Sequence, residues 1–349
     1  MPDTDINKET QKYLHSTGLN IVVLLDHVRK FEGSDEPLNS FSGPEFKDSV
    51  KDLASAIDKE VTRFIIACKP PARDSDIRTM CPKISAGLFH LAKKIDSIPK
   101  TAGKTYVEAV RKAVCRTLVS AIGLINSFID EKIDIEKTAL HEVSYMSASG
   151  VFWEHCNALV HLPADNRSAV ALTWQKYVGN LVKDAVEELQ VTVRDYEDSE
   201  KNIDGKPEEV EGFSDDSMDD VDSEIPAGRL EDVQKVQRLV IAAKHACDKI
   251  ALRCIRDCKT LDEEHIIWLD RLVDLGMPVQ EAVDEVVAAL FIESDSWKRQ
   301  VEIESSKLKE ALSALLTLAI TFVDDSHLKW FELCRKQLDA AQQSTKIVR

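Results

Sequence analysis

The chain has 349 residues, 44% of them hydrophobic and 30% charged, with only 12 Gly and 11 Pro, and a formal net charge of −16. That length predicts about two domains, and the composition excludes disorder throughout and leans towards helix. So acidic a chain is poorly suited to direct nucleic-acid binding or to anionic membranes, both of which call for clustered Lys and Arg.

The opening "MPDTDINKETQKYL" lacks the basic-then-apolar order of a signal peptide, and no apolar run reaches the roughly eighteen residues of a membrane span. An intracellular protein is expected. The eight cysteines, at 68, 81, 115, 156, 247, 254, 258 and 334, sit among apolar neighbours without the spacing of a disulfide framework, which predicts reduced thiols.

Helical periodicity then dominates. A weak stripe covers Leu14 to Phe31. A stronger one runs through Phe46, Val50, Leu53, Ile57, Val61, Phe64 and Cys68, in the steps of three and four that hold one helix face in a core, until Pro70 and Pro71 end it. Helices are also expected over Ile77 to Ile95 and through Val107, Val110, Val114, Leu118, Ala121, Ile125 and Phe128.

The stretch "GVFWEHCNALVHLPADNRSAV", Gly150 to Val170, gathers the residue types of an active or metal site. Its spacing favours a plainer reading. Trp153, Cys156, Leu159 or Val160, and Leu162 line one helix face, and Pro163 stops the helix. Asp165 or Asn166 caps the next helix, because a short polar side chain accepts from amides that the first turn leaves unpaired. Arg167, in the first turn, opposes the helix dipole and is expected to pair with a carboxylate. A catalytic thiol is disfavoured, since His155 points about 100° away from Cys156 on a helix and His161 could approach only if that helix broke early. Trp153 is assigned to the core.

Beyond the corner, Val170, Trp174, Tyr177, Leu181, Ala185 and Leu189 continue the helical pattern. From Asp195 to Glu224 the chain then carries fourteen Asp and Glu against two Lys, a net of −12 out of the total of −16. Such a segment cannot bury enough apolar surface to offset its ordering entropy, which predicts a disordered tether. Within "GFSDDSMDDVDSE", Ser217 has a carboxylate three residues on, as an acidophilic kinase requires, and Ser214 would match once Ser217 were phosphorylated.

Helices resume beyond Pro226. One runs through Val233, Val236, Val240, Ala243, Cys247, Ile250 and Cys254, with shorter ones expected over 262–275 and 279–291, the second starting just after Pro278. Two more close the chain, through Val301 to Phe322 and Leu328 to Ala341. His245, Cys247, Cys254 and Cys258 cannot all face one side of a straight helix, so they are read as core residues and not as metal ligands. No glycine-rich phosphate loop, Gly-x-Ser-x-Gly or His-Glu-x-x-His motif occurs, and no catalytic, metal or cofactor site is predicted. The expected architecture is all-α: two antiparallel bundles of about five helices, over 1–196 and 229–349, joined by an acidic linker over 197–228.

The series "VFWEHCNALVHLPADNRSAVALTW…LVKDAVEEL" resembles the signature of the cyclin-D-binding (cyclin-D-interacting) protein family. Trp153, Cys156, Leu162, Pro163, Asp165, Asn166 and Arg167 match its corner, and Val182, Lys183, Asp184 and Ala185 match the helix that follows. "RLVIAAKHACDKI" and "LDRLVDLGMPVQEAVDEVVAALF" resemble it more loosely, so the resemblance spans about Ala109 to Phe322. It implies a non-enzymatic regulator of nucleus and cytoplasm, with bundles similar to those of vinculin, talin and α-catenin. The implied partner is a D-type cyclin, with restraint of cell-cycle progression and transcription, and helix-loop-helix or adaptor proteins are implied as further partners. The resemblance transfers no partner-binding residue. Two other readings are a cytoskeletal adaptor like vinculin or α-catenin, motivated by the long amphipathic helices, and an enzyme using Cys156 and His161.

Overall fold

The computed structural model describes residues 6–69, 71–135, 144–203, 229–294 and 296–345. Helix α1, Lys8–Arg29, starts where Asn7 accepts from the Thr10 amide at 2.9 Å, and it buries Leu14, Ile21, Leu25 and Val28. Helix α2, Gly43–Cys68, is capped by Ser42 and has a proline in its first turn, where a missing amide is tolerated. It buries Phe46, Val50, Ala54, Ile57, Val61, Phe64 and Cys68. Helices α3, Asp74–Lys94, α4, Lys104–Asn126, and α5, Tyr145–Val160, follow. Each of the five packs on at least two others: α1 on α3 and α4, α2 on α3 and α5, α4 on α5, and, less extensively, α3 on α4. They enclose one apolar core. Among the described residues there is no β-strand, only an isolated bridge between Ser34 and Pro99, and the class is all-α as expected.

The chain divides into two compact units, Met1–Ala169 and Val170–Arg349. This differs from the expected first bundle over 1–196. Helix α6, Asn166–Trp174, passes through a π-helical turn at Gln175–Gly179 into α7, Asn180–Ile203. Val170, Trp174, Val178, Val182, Val186 and Leu189 all lie in the core of the second unit, and α7 packs on α8, Leu230–Ile250, and on α9, Glu263–Ala288. An amphipathic stripe shows that a face is buried, not what buries it. The wide turn also moves the buried register by one residue, from the expected Tyr177 and Leu181 to Val178 and Val182.

Because α7 runs to Ile203, the first residues of the expected linker are helical. The rest of it, including Ser214 and Ser217, lies outside the described residues.

The helices expected over 262–275 and 279–291 form the single helix α9, with Pro278 inside it. A mid-helix proline costs about 3 kcal/mol, but Leu269, Leu272, Val279, Val283 and Val286 share one fully buried face, and that burial outweighs the lost hydrogen bond. Gly276 lets the Trp174 ring come close, since a Cβ there would lie 2.7 Å from it. Helix α8 ends in a second π-helical segment, Ala251–Arg256, and α10, Trp297–Ala319, and α11, Asp325–Thr345, complete the unit. The Cys254 thiol donates to the Ala319 carbonyl and that of Cys258 to the Thr260 carbonyl, as core cysteines do. Among the described residues, no helix is long and apolar enough to cross a membrane.

Candidate functional site

The corner that the sequence singles out begins at Ser144, whose hydroxyl caps α5 by accepting from the Ser147 amide at 3.2 Å. Ala148, Ser149, Phe152, Cys156 and Leu159 form the buried face against α2 and α4. His161 ends the helix, its amide donating to the Ala158 carbonyl, and Leu162 and Pro163 are buried as the chain turns. Asp165 then caps α6, accepting from the Ser168 amide at 2.7 Å and the Ser168 hydroxyl at 2.6 Å. Arg167 lies 3.7 Å from the Asp165 carboxylate.

Asn166 does something the sequence did not disclose. It is buried, and its side-chain oxygen accepts from the Tyr106 amide at 3.1 Å, in the first turn of α4, sixty residues earlier in the chain. Helix α4 needs this because its own N-cap, Gly103, has no side chain. Gly103 sits at φ 109°, and a Cβ on it would come within 2.2 Å of the Asn166 side chain. Glycine at 103 and asparagine at 166 therefore require one another. The only sequence signal was a helix start preceded by glycine where a capping residue was due.

Trp153 is the residue the structure corrects. It is 41% exposed, whereas Phe152 beside it is 0% exposed. Both stripes through α5 contain Cys156 and an aromatic residue, and a helix this apolar gives periodicity little contrast between them. The outward stripe holds Met146, Gly150 and Trp153 at steps of four and three, with exposed Val151 beside it. Glu154 is the only Asp, Glu, Lys or Arg in the helix.

The same geometry argues against chemistry at Cys156. Its thiol donates to the Ala54 carbonyl at 3.3 Å, and burial, helped by Asp58, pushes its pKa up to about 12. A thiol in that state is protonated at neutral pH, and the thiolate is the nucleophile. His161, the expected base, is exposed at the C-cap of α5.

Residues 49–195 match the family described as "Grap2 and cyclin-D-interacting, N-terminal". The chain is also similar to "Cyclin-D1-binding protein 1 homolog" of Danio rerio, 24% identical over 84% of this chain and 82% of that protein. To "Cyclin-D1-binding protein 1" of Pongo abelii it is 25% identical over 85% of this chain and 81% of that protein. Those names are of interaction proteins, which supports a protein-interaction role. The match over 49–195 and the two relatives agree with the signature at the corner, and by all three the chain is similar to the cyclin-D-binding proteins.

Proposed function

We propose that this chain is a non-enzymatic regulator that binds a D-type cyclin and thereby restrains cell-cycle progression and transcription, acting in both nucleus and cytoplasm. The observation that carries this reading is that two relatives named for binding cyclin D1 align with more than four fifths of the chain. Agreement over that length covers both compact units and not one shared helical element. The buried Cys156 thiol, which donates to the Ala54 carbonyl and is held protonated by burial, supports a binding role for the corner over a catalytic one. The test is capture of a purified D-type cyclin by the full chain at micromolar concentration. Binding that titrates to saturation is expected, and a clean negative from a folded sample would remove the cyclin assignment.

A further inference from the structure

We infer that the acidic segment is a loop of the second unit, leaving it at the end of α7 and re-entering it at the start of α8, and that it does not join the two units. The inference goes beyond the interaction reading above and does not depend on it. A tether between bundles must leave one and enter the other. Here the helices on both sides of the segment, α7 and α8, belong to the same compact unit, Val170–Arg349, and pack on one another. Val182, Val186 and Leu189 of α7 share one apolar core with Val233, Val236 and Val240 of α8.

The two helix ends that bracket the segment also lie together. The Glu197 carboxylate, near the end of α7, accepts from the Gln234 side-chain amide, near the start of α8, at 3.4 Å. That contact falls six residues before Ile203 and four after Leu230. At a rise of about 1.5 Å per helical residue, the end of α7 and the start of α8 stand within roughly 20 Å of each other. A turn of about six residues would reach across, whereas the chain places residues 204–229 there. The covalent path from the first unit to the second runs instead through α6, whose first residue, Asn166, caps α4 and whose Val170 lies in the second core.

This assignment decides where the charge of the molecule sits. Residues 170–349 hold 38 of the 61 Asp and Glu against 23 of the 45 Lys and Arg, a net of −15 out of −16. The first unit is thus nearly neutral, and phosphate at Ser217 or Ser214 would charge the second unit further while leaving the connection between the units unchanged.

The experiment uses the full chain with a recognition site for a sequence-specific protease inserted after Gly212. Once cut, the pieces 1–212 and 213–349 should separate on a denaturing gel yet co-elute under native conditions at the size of the uncut chain, because α7 stays packed on α8 and α9. Elution as two separate bodies would overturn the inference, since that is what cutting a tether between two bundles gives. A second variant replaces 204–228 with a Gly-Ser turn of about six residues. It should melt cooperatively and no earlier than the wild-type chain, because a shorter loop costs less entropy to close. A melting temperature lowered by many degrees, or loss of the cooperative transition, would show that the segment spans more than two neighbouring helix ends and would equally overturn it. Neither readout involves cyclin, so failure here and failure of the cyclin reading are told apart.

Discussion

Truncating Phe152 to alanine takes a side chain without solvent exposure out of the first core, and should cost about 3–5 kcal/mol of stability. Trp153→Ala, one residue on, should change stability by no more than about 1 kcal/mol. Denaturant melts of the two variants separate the roles directly, and equal losses would put Trp153 back in the core. A second residue-scale outcome concerns the cap shared between distant segments. Asn166→Ala removes the acceptor for the Tyr106 amide and should destabilise the first unit by roughly 1–2 kcal/mol, the range of a lost N-cap. Asn166→Ser should not rescue it, because the shorter side chain would fall short of α4, and comparing the two variants by thermal denaturation checks this.

At the scale of helices, α9 holds one carboxyl, that of Asp284, that resists ionisation, with Glu188 of α7 among its acidic neighbours. Burial first, then Glu188, Glu285 and Glu281, hold the Asp284 carboxyl above its usual range, while Gln280 donates to it. The native state therefore binds a proton at Asp284 more readily than the unfolded chain does. Its contribution to stability grows as pH falls through the raised native value towards the ordinary aspartate range, and is lost as pH rises. Asp284→Asn keeps an acceptor for Gln280 and should raise the melting temperature at pH 7, with the gain shrinking to nothing once both carboxyl states are protonated. A variant that melts identically to wild type at pH 7 would show that the repulsion is fully screened.

Much of this layer was legible in the sequence. The stripes from Phe46 to Cys68 and from Val233 to Cys254 mark the buried faces of α2 and α8, apart from Leu53, which lies off the core. What escaped was whatever depends on a distant neighbour. Pro278 reads locally as a helix start, and only the common core on both sides of it carries α9 through. The π turn before α7 inserts a residue that no local pattern announces, and the dependence of α4 on Asn166 spans sixty residues of chain. At α5 the failure has a different cause: with apolar residues on every side, spacing could not tell Phe152 from Trp153.

For the whole molecule, the expected modification at Ser217 is separable from folding. Each phosphate would add about −1.5 to −2 charge to a segment already at −12. An acidophilic kinase should modify Ser217 first and Ser214 only afterwards, and Ser217→Ala should block both. Intact-mass measurement checks the order, with melting curves unchanged and affinity for a basic partner altered by salt-sensitive attraction. Phosphate at Ser214 in the Ser217→Ala chain would defeat this ordering.

The place where the chain changes units has a practical consequence for how the protein is cut. The family match ends at residue 195, close to where the sequence suggested a boundary, yet Val182, Ala185, Val186 and Leu189 complete the second core. A fragment ending at 196 would thus carry an orphaned apolar ridge, open to the nonspecific association that exposed hydrophobic patches invite. A fragment ending at 169 would not. Expressed side by side, 1–169 should stay monodisperse and melt cooperatively, while 1–196 should aggregate as its concentration rises. The stretch that is recognisable as a family region and the stretch that folds as a unit are, in this chain, different lengths of polypeptide.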